Sequence, residues 1–323
     1  MGLSAFGQAV EGTSLHITDP QNRNLSAMRL TRTVKPFNTL VGISGVTYNP
    51  RTGTLFHVRN VSGGAGNTYE TTLDGTLLRT IKHSNFVDTE AIAYVTSFRN
   101  TRGVIYDVFL IAEEAHTSAS LEGSLTLCLL SSAAITLDKA ATNGSDPDNR
   151  SVTTAYSNGT MGNSCIEAVA YDFKRSVCYY TAEFQTTARS DNTPGTGNAK
   201  IFTRSITANS TMLSFGSESV LSNINALYSS VLRGGDISDM CYSAQDDTIL
   251  LLSDELEKVV KITRAGNVVE TLATPAEQPE GVTLNPDGSV MWVVGEDSDG
   301  TSAGEFFRYE LGFAAAPEGS NSQ

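Results

Sequence analysis

The sequence has little positive charge, few cysteines, no long apolar run and almost no helical periodicity, and each shortage removes a class of protein. Its 323 residues carry 22 Lys and Arg against 35 Asp and Glu, a formal net charge of −13. Nucleic-acid binding needs clustered cations facing phosphates, so no nucleic-acid partner is expected. The four cysteines, Cys128, Cys165, Cys178 and Cys241, show no C-x-x-C spacing, and runs such as "LTLCLL" and "SVCYYTAEF" place them as buried thiols. The four histidines, His16, His57, His83 and His116, are dispersed without metal-ligand spacing. The first twenty residues lack a basic n-region and an apolar h-region, so they do not read as a secretory leader. The longest apolar stretch, residues 125 to 137, is broken by Ser and Thr and is too short to cross a membrane. The expectation is a soluble acidic protein, cytoplasmic or associated with a virion, or of the cell envelope if a leader has been removed.

What is present is a succession of short alternating or apolar runs bounded by Asn, Asp, Gly and Pro, the pattern of an all-β chain. One hairpin-like stretch, "EQPEGVTLNPDGSVMWVVGED", recurs. "SGVTYNPRTGTLFHVRN", "IEAVAYDFKRSVCYYTAEF" and "ISDMCYSAQDDTILLLSDE" share its layout of a polar residue, a turn and a second polar residue. Ser44 and Asn60, Glu167 and Glu183, Ser238 and Asp254, and Glu280 and Glu296 are each sixteen residues apart. A fifth copy runs from Glu90 to Glu113 or Glu114, lengthened by the polar insertion "SFRNTRG". Each copy is followed by further strand-like runs, with turns at Asp74-Gly75 and Gly266.

A four-stranded antiparallel unit repeated five times predicts a five-bladed β-propeller, with six blades as the alternative. Only "EFFRYEL" follows the last hairpin, so the fourth strand of that blade is expected from residues 25 to 34. The predicted organisation is an N-terminal arm over 1–24, the propeller over 25–313 and a flexible tail over 314–323.

In such a ring the first strand of each blade lines the central channel. Its starting residues, Ser44, Glu90, Glu167, Ser238 or Asp239, and Glu280, are then expected at one mouth, with Asp88 and Asp236 just upstream. Antiparallel return brings Asn60, Glu113 or Glu114, Glu183, Asp254 or Glu255, and Glu296 to the same face. Clustered carboxylates repel, and raised pKa values or a bound cation relieve the repulsion. Oxygen donors without a His or Cys cluster suit Ca2+, or Mg2+ as the alternative, rather than zinc.

The hairpins resemble the SdiA-regulated, YjiK-like family of bacterial β-propellers, through "SGVTYNPRTGTLF", "LDGTLLRTI" with "DTEAIAYV", "IEAVAYD", "DISDMCYSAQDDTILLLSDE" and "QPEGVTLNPDGSVMWVVGE". These span residues 43 to 311 in the family's order. The resemblance implies a five-bladed fold with a calcium-type cation in the channel and no established catalytic activity. Carried over by position, Glu90, Glu167, Asp236 and Glu280 become the candidate ligands, with Asp88, Glu183, Asp239, Asp254 and Glu296 secondary. The family's Glu-Gly step is Glu90-Ala91 and Glu167-Ala168 here.

The functional expectation is a non-catalytic binding module for a protein or a cell-surface glycan. "GISGV" at Gly42 to Val46 fails the G-x-S-x-G pattern at its last position, so a serine hydrolase is disfavoured. "VSGGAGN" at Val61 to Asn67 precedes no helix and reads as a blade loop rather than a phosphate cradle. Two alternatives stay open: a bacteriophage tail or capsid component, suggested by the acidic Ser/Thr/Asn-rich composition and tested by symmetric multimers, and a metal-assisted hydrolase of phosphoesters or lactones.

Overall fold

In the computed structural model the described residues are 24–35, 37, 40–59, 66–114, 123–140, 151–156, 166–182, 200–296 and 304–312. Most of the arm over 1–24 and all of the tail over 314–323 lie outside them, as do Asn60, Cys165, Glu183, His16 and His116. The strands are β1 (Met28–Val34), β2 (Ile43–Asn49), β3 (Thr54–Arg59), β4 (Asn67–Thr71), β5 (Leu77–Ser84), β6 (Thr89–Arg99) and β7 (Ile105–Glu113). They continue with β8 (Gly123–Ser131), β9 (Thr136–Asp138), β10 (Ser151–Tyr156), β11 (Ile166–Asp172), β12 (Val177–Ala182), β13 (Lys200–Ala208) and β14 (Leu213–Asn223). The last are β15 (Asp239–Ser243), β16 (Thr248–Ser253), β17 (Lys258–Thr263), β18 (Val268–Ala273), β19 (Gln278–Leu284), β20 (Val290–Glu296) and β21 (Glu305–Leu311).

These strands form five sheets, one per blade of a five-bladed propeller. Blade 1 is built on β2 to β5, blade 2 on β6, β7, β8 and β10, blade 3 on β11 to β14, blade 4 on β15 to β18, and blade 5 on β19, β20, β21 and β1. The N-terminal strand closes the ring: β1 pairs antiparallel with β21 from Met28 opposite Leu311 to Val34 opposite Phe306. That pairing gives the last blade its fourth strand and joins the two ends of the ring. The strand itself begins at Met28, three residues after the expected start, because Leu25–Ala27 forms a turn of 3-10 helix.

Each blade buries its faces against its neighbours, so the core is five separate clusters at five junctions. Trp292 and Phe306 of blade 5 meet Val46 and Leu55 of blade 1, and Phe56 of blade 1 meets Phe109 of blade 2. The hairpin turns hold because one residue takes the left-handed conformation, Gly53, Ser176, Asp247 and Gly288 in blades 1, 3, 4 and 5. One connection was not legible: β9 leaves blade 2 and pairs in parallel with β5 on the outer edge of blade 1, before β10 returns to β8. Leu137 of β9 is buried in the junction between those blades, so burial of one side chain draws the segment across.

Candidate functional site

The inner strands β2, β6, β11, β15 and β19 each touch the next around the ring. An inner strand has a free edge whose N–H groups need acceptors, and side chains of the preceding blade supply several. Thr47 Oγ1 accepts from Tyr94 N at 2.9 Å and Thr283 Oγ1 from Tyr48 N at 3.1 Å. Asp239 Oδ2 accepts from Val282 N at 2.9 Å, and the Val46 N–H also bonds this carboxylate. Asp239 thereby pins blades 4, 5 and 1 together at the throat. Burial raises its pKa well above the usual carboxylate range, against the pull of its backbone donors.

Ser44, Glu90, Glu167 and Glu280 share a feature that spacing alone did not reveal. In each of four hairpins the register shifts by one residue at this position, between Ile43 and Gly45, Thr89 and Ala91, Ile166 and Ala168, and Pro279 and Gly281. The ring residue is the extra residue of a β-bulge, a device that re-aims one side chain out of the ladder. The residue after it is small because the inner strands crowd there. A Cβ on Gly45 would lie 2.8 Å from the Glu90 carbonyl oxygen, and one on Gly281 2.8 Å from Val46 N.

Register also shows which acids are equivalent. Ala91 faces Ala112, Asp239 faces Leu252 and Gly281 faces Val294. Three residues before the first member stand Asp88, Asp236 and Gln278; two residues after the second stand Glu114, Asp254 and Glu296. Blades 2 and 4 thus carry a carboxylate at both positions. The structure gathers acids there: Asp88, Glu90 and Glu114 in blade 2, and Asp236, Asp254 and Glu255 in blade 4, each set with ligand oxygens within 4.8 Å of one another. Among the described residues, neither Glu167 nor Glu280 enters a group of three potential ligands at this spacing.

In blade 2, Glu90 is 6% exposed. Burial raises its pKa well above the usual range, and Asp88, Glu114 and Glu296 push it the same way while a bond to Ser44 opposes them. Glu113, adjacent in sequence to Glu114, belongs to a different set of contacts. It is fully buried, meets Lys139 Nζ at 2.6 Å and accepts from Ser124 Oγ at 2.6 Å and Val87 N at 2.7 Å. Lys139 arrives on the segment that follows β9, so the unforeseen crossover also neutralises this acid.

In blade 4 the "RGGD" step prepares the cluster. Gly234 has a φ of 81°, and a Cβ on Gly235 would meet Leu256 Cγ at 2.5 Å and Ser253 Oγ at 2.7 Å. Asp236 is 3% exposed, and its Oδ1 has no hydrogen-bond partner. Asp236 N donates to Glu255 Oε2 at 3.0 Å, and Glu255 N donates to Asp254 Oδ1 at 2.7 Å, so the three acids are tied together. Burial first, then Asp254 and Glu255, drives the Asp236 pKa far up. Burial also raises Glu255, whereas contacts with Asp236 and Glu255 outweigh burial and lower Asp254. Asp236 is therefore the acid of the three most strongly pushed toward its protonated form.

A Ca2+ ion takes its oxygens at about 2.4 Å, so opposite ligands can stand up to about 4.8 Å apart, and the oxygens of this trio lie within that limit, as do those of blade 2. A buried carboxylate oxygen with no partner, two neighbouring acids and no soft donor are the requirements of a hard divalent cation. Asp236, Asp254 and Glu255 fit. Glu296 lies elsewhere on the rim, raised by burial and opposed by Arg59.

The fold defines a five-bladed propeller with carboxylates gathered at the hairpins of blades 2 and 4. The family model described as SdiA-regulated matches residues 21–115 and 131–298, and the chain belongs to the SdiA-regulated family. No curated protein matches it significantly. Among solved structures it is similar to the calcium-binding protein regucalcin of Agrobacterium tumefaciens, at 13% identity over 88% of this chain and 96% of that one, with a TM-score of 0.47. It is also similar to the Cps50 (Swd1) β-propeller domain of Myceliophteria thermophila, at 11% identity over 88% and 99% with a TM-score of 0.41. A gluconolactonase of Xanthomonas campestris aligns at 9% identity over 88% and 94%, with a TM-score of 0.41. At scores this low the likenesses carry no argument about ligand or activity.

Proposed function

We propose that this protein is a non-catalytic binding propeller whose channel mouth is organised by a divalent cation, Ca2+ in preference to Mg2+, held in blade 4 by Asp236, Asp254 and Glu255. The observation that carries the reading is Asp236 Oδ1, a buried carboxylate oxygen without a hydrogen-bond partner, set between two further acids. A cation there supplies the missing partner and removes the repulsion that otherwise forces a proton onto the trio. Glu90, Glu167 and Glu280, with Asp88 and Glu296, stand around the same mouth, where the ordered surface meets a protein or glycan partner. A binding role is further supported by His57 and His83, which are buried against Thr71 and Thr68 rather than placed beside the acids as bases.

Isothermal titration and thermal melting test the reading together. Ca2+ is expected to bind and to raise the melting temperature by several degrees, and Asp236→Asn to abolish both effects. No heat and no shift at millimolar Ca2+ overturn it.

A further inference from the structure

The other mouth of the channel has the opposite chemistry. Three residues on from Gly45, Ala91, Ala168, Asp239 and Gly281 at the throat, the inner strands carry Tyr48, Tyr94, Tyr171, Tyr242 and Leu284. All five line one cavity of about 60 Å3. Its rim comes from the turns that follow the inner strands, at Pro50, Phe173, Ala244 and Pro286. None of the described residues lining it carries a charge, in a protein whose net charge is −13. Of the charged groups nearby, Arg51 pairs with Asp107 and Arg175 with Asp172 and Asp247, while Lys174 Nζ donates to the Ala244 carbonyl at the rim and Asp287 lies near Tyr48.

The tyrosines are held by their neighbours. Tyr48 stacks on Trp292 at 5.5 Å and 8°, Tyr94 meets Phe109 edge-on at 5.8 Å, and Tyr171 and Tyr242 both meet Phe173 edge-on. Three of the four hydroxyls already have partners: Ser97 for Tyr94, Ser176 for Tyr171, and Asp247 for Tyr242. Lower down, Thr47 and Thr283 are occupied by the backbone of the next blade. The pit therefore offers tyrosine and aliphatic surface beside a comparable share of polar surface, with its threonine hydroxyls and three of its tyrosine hydroxyls already hydrogen-bonded. Desolvating a sugar's hydroxyls there is unfavourable, and desolvating an ion more so.

We infer that this pit is a binding site for a small neutral ligand presenting one flat apolar ring. At about 60 Å3 the cavity is smaller than the roughly 150 Å3 that encloses a benzene ring, so a single ring enters in part and keeps its outer edge at the rim. Pockets of this kind take their ligands by apolar contact, with polar groups fixing orientation. The site does not depend on the cation reading, since it lies at the far end of the axis and uses none of those residues.

The protein has a single tryptophan, Trp292, which is 1% exposed and stacked on Tyr48. Its emission, excited at wavelengths where phenol does not absorb, reports occupancy. Phenol, benzoate and glucose are the probes. Phenol is expected to change the emission saturably with half-saturation in the millimolar range, and benzoate, the same ring with a charge, to bind at least tenfold more weakly. Glucose is expected to give no change. Ala244→Phe, at the half-buried rim, is expected to weaken phenol at least tenfold while the melting temperature stays within a few degrees of the parent. Because that variant could disturb the turn, Ala93→Val, a smaller addition deeper in the pit, is measured beside it and is expected to weaken phenol several-fold. A linear, non-saturating response to phenol, equal binding of benzoate, saturation by glucose, or phenol binding unchanged in both folded variants overturns the proposal.

Discussion

Blades 2 and 4 present the same pair of acid positions, Asp88 with Glu114 and Asp236 with Asp254, yet the two clusters are wired differently. In blade 2 the third acid is Glu90 on a bulge, bonded to Ser44, while the neighbouring Glu113 is neutralised by Lys139. In blade 4 the third acid is Glu255, the residue before the trio is a glycine, and Asp236 Oδ1 has no partner. Equivalent positions in a repeat therefore do not imply equivalent sites. What distinguishes them is the set of partners brought from outside the hairpin.

The largest effect expected on this contrast is from Lys139→Met. It leaves Glu113 buried without its cation, and breaking a buried pair costs about 3–5 kcal/mol; denaturant unfolding should show a midpoint lowered accordingly, with blade 4 still responding to Ca2+. Next is Asp236→Asn, expected to remove a Ca2+-dependent stabilisation of about 2.7 kcal/mol at a hundredfold excess over Kd. In Ca2+-free buffer the same change should be neutral or stabilising, because it deletes a carboxyl that burial and two acids disfavour. A loss of stability in the metal-free protein alone would mean that the trio is structural.

Acid titration sharpens the comparison through signs. Glu90 and Asp236 have raised pKa values, so their contribution to stability is fully present below the unfolded value and is lost as pH rises through the folded one. His57 and His83 act oppositely. Burial lowers both to about 3, so their contribution is present above pH 6.5 and is lost as pH falls toward 3, by roughly 2 kcal/mol each between pH 6.5 and 5. Chemical denaturation at pH 7 and 5 should show this loss in the parent, and less of it in His83→Gln. The smallest effect is expected for Glu90→Gln, a gain of about 1 kcal/mol at pH 7 from removing a carboxyl that burial, and then Asp88 and Glu114, disfavour, with the Ca2+ response of blade 4 intact. If that response is lost instead, the cation belongs to blade 2 and the contrast is reversed.

Much of the fold was legible because register is a short-range matter. The sixteen-residue spacing from Ser238 to Asp254 or Glu280 to Glu296 follows from paired strands joined by a short turn, and side-chain alternation makes any slip visible. The use of residues 25 to 34 to close the ring followed from counting strands. The carry-over to Glu90, Glu167 and Glu280 marked the bulge position around the ring, with Asp236 at the position two residues earlier in blade 4, whereas the acids that gather do so within a hairpin. Adjacent strands lie about 4.8 Å apart, and positions across a five-strand channel do not. The β-bulges at Glu90, Glu167 and Glu280 leave only a weak trace in sequence, the small residue that follows each. The tyrosine at the same offset in four copies was in plain view, but its meaning depended on which end of the strand it occupies.

The sequence by itself determined the all-β class, the five hairpins, the closing strand and the acidity of one mouth, since all of these rest on local periodicity and composition. Tertiary structure alone decided that β9 crosses to blade 1 and delivers Lys139 to Glu113, that Asp239 pins three blades at the throat, and that Asp236 Oδ1 is left without a hydrogen-bond partner. Those outcomes depend on distances between residues far apart in the chain, and hydrogen bonding, desolvation and charge are set by such distances rather than by order along the sequence.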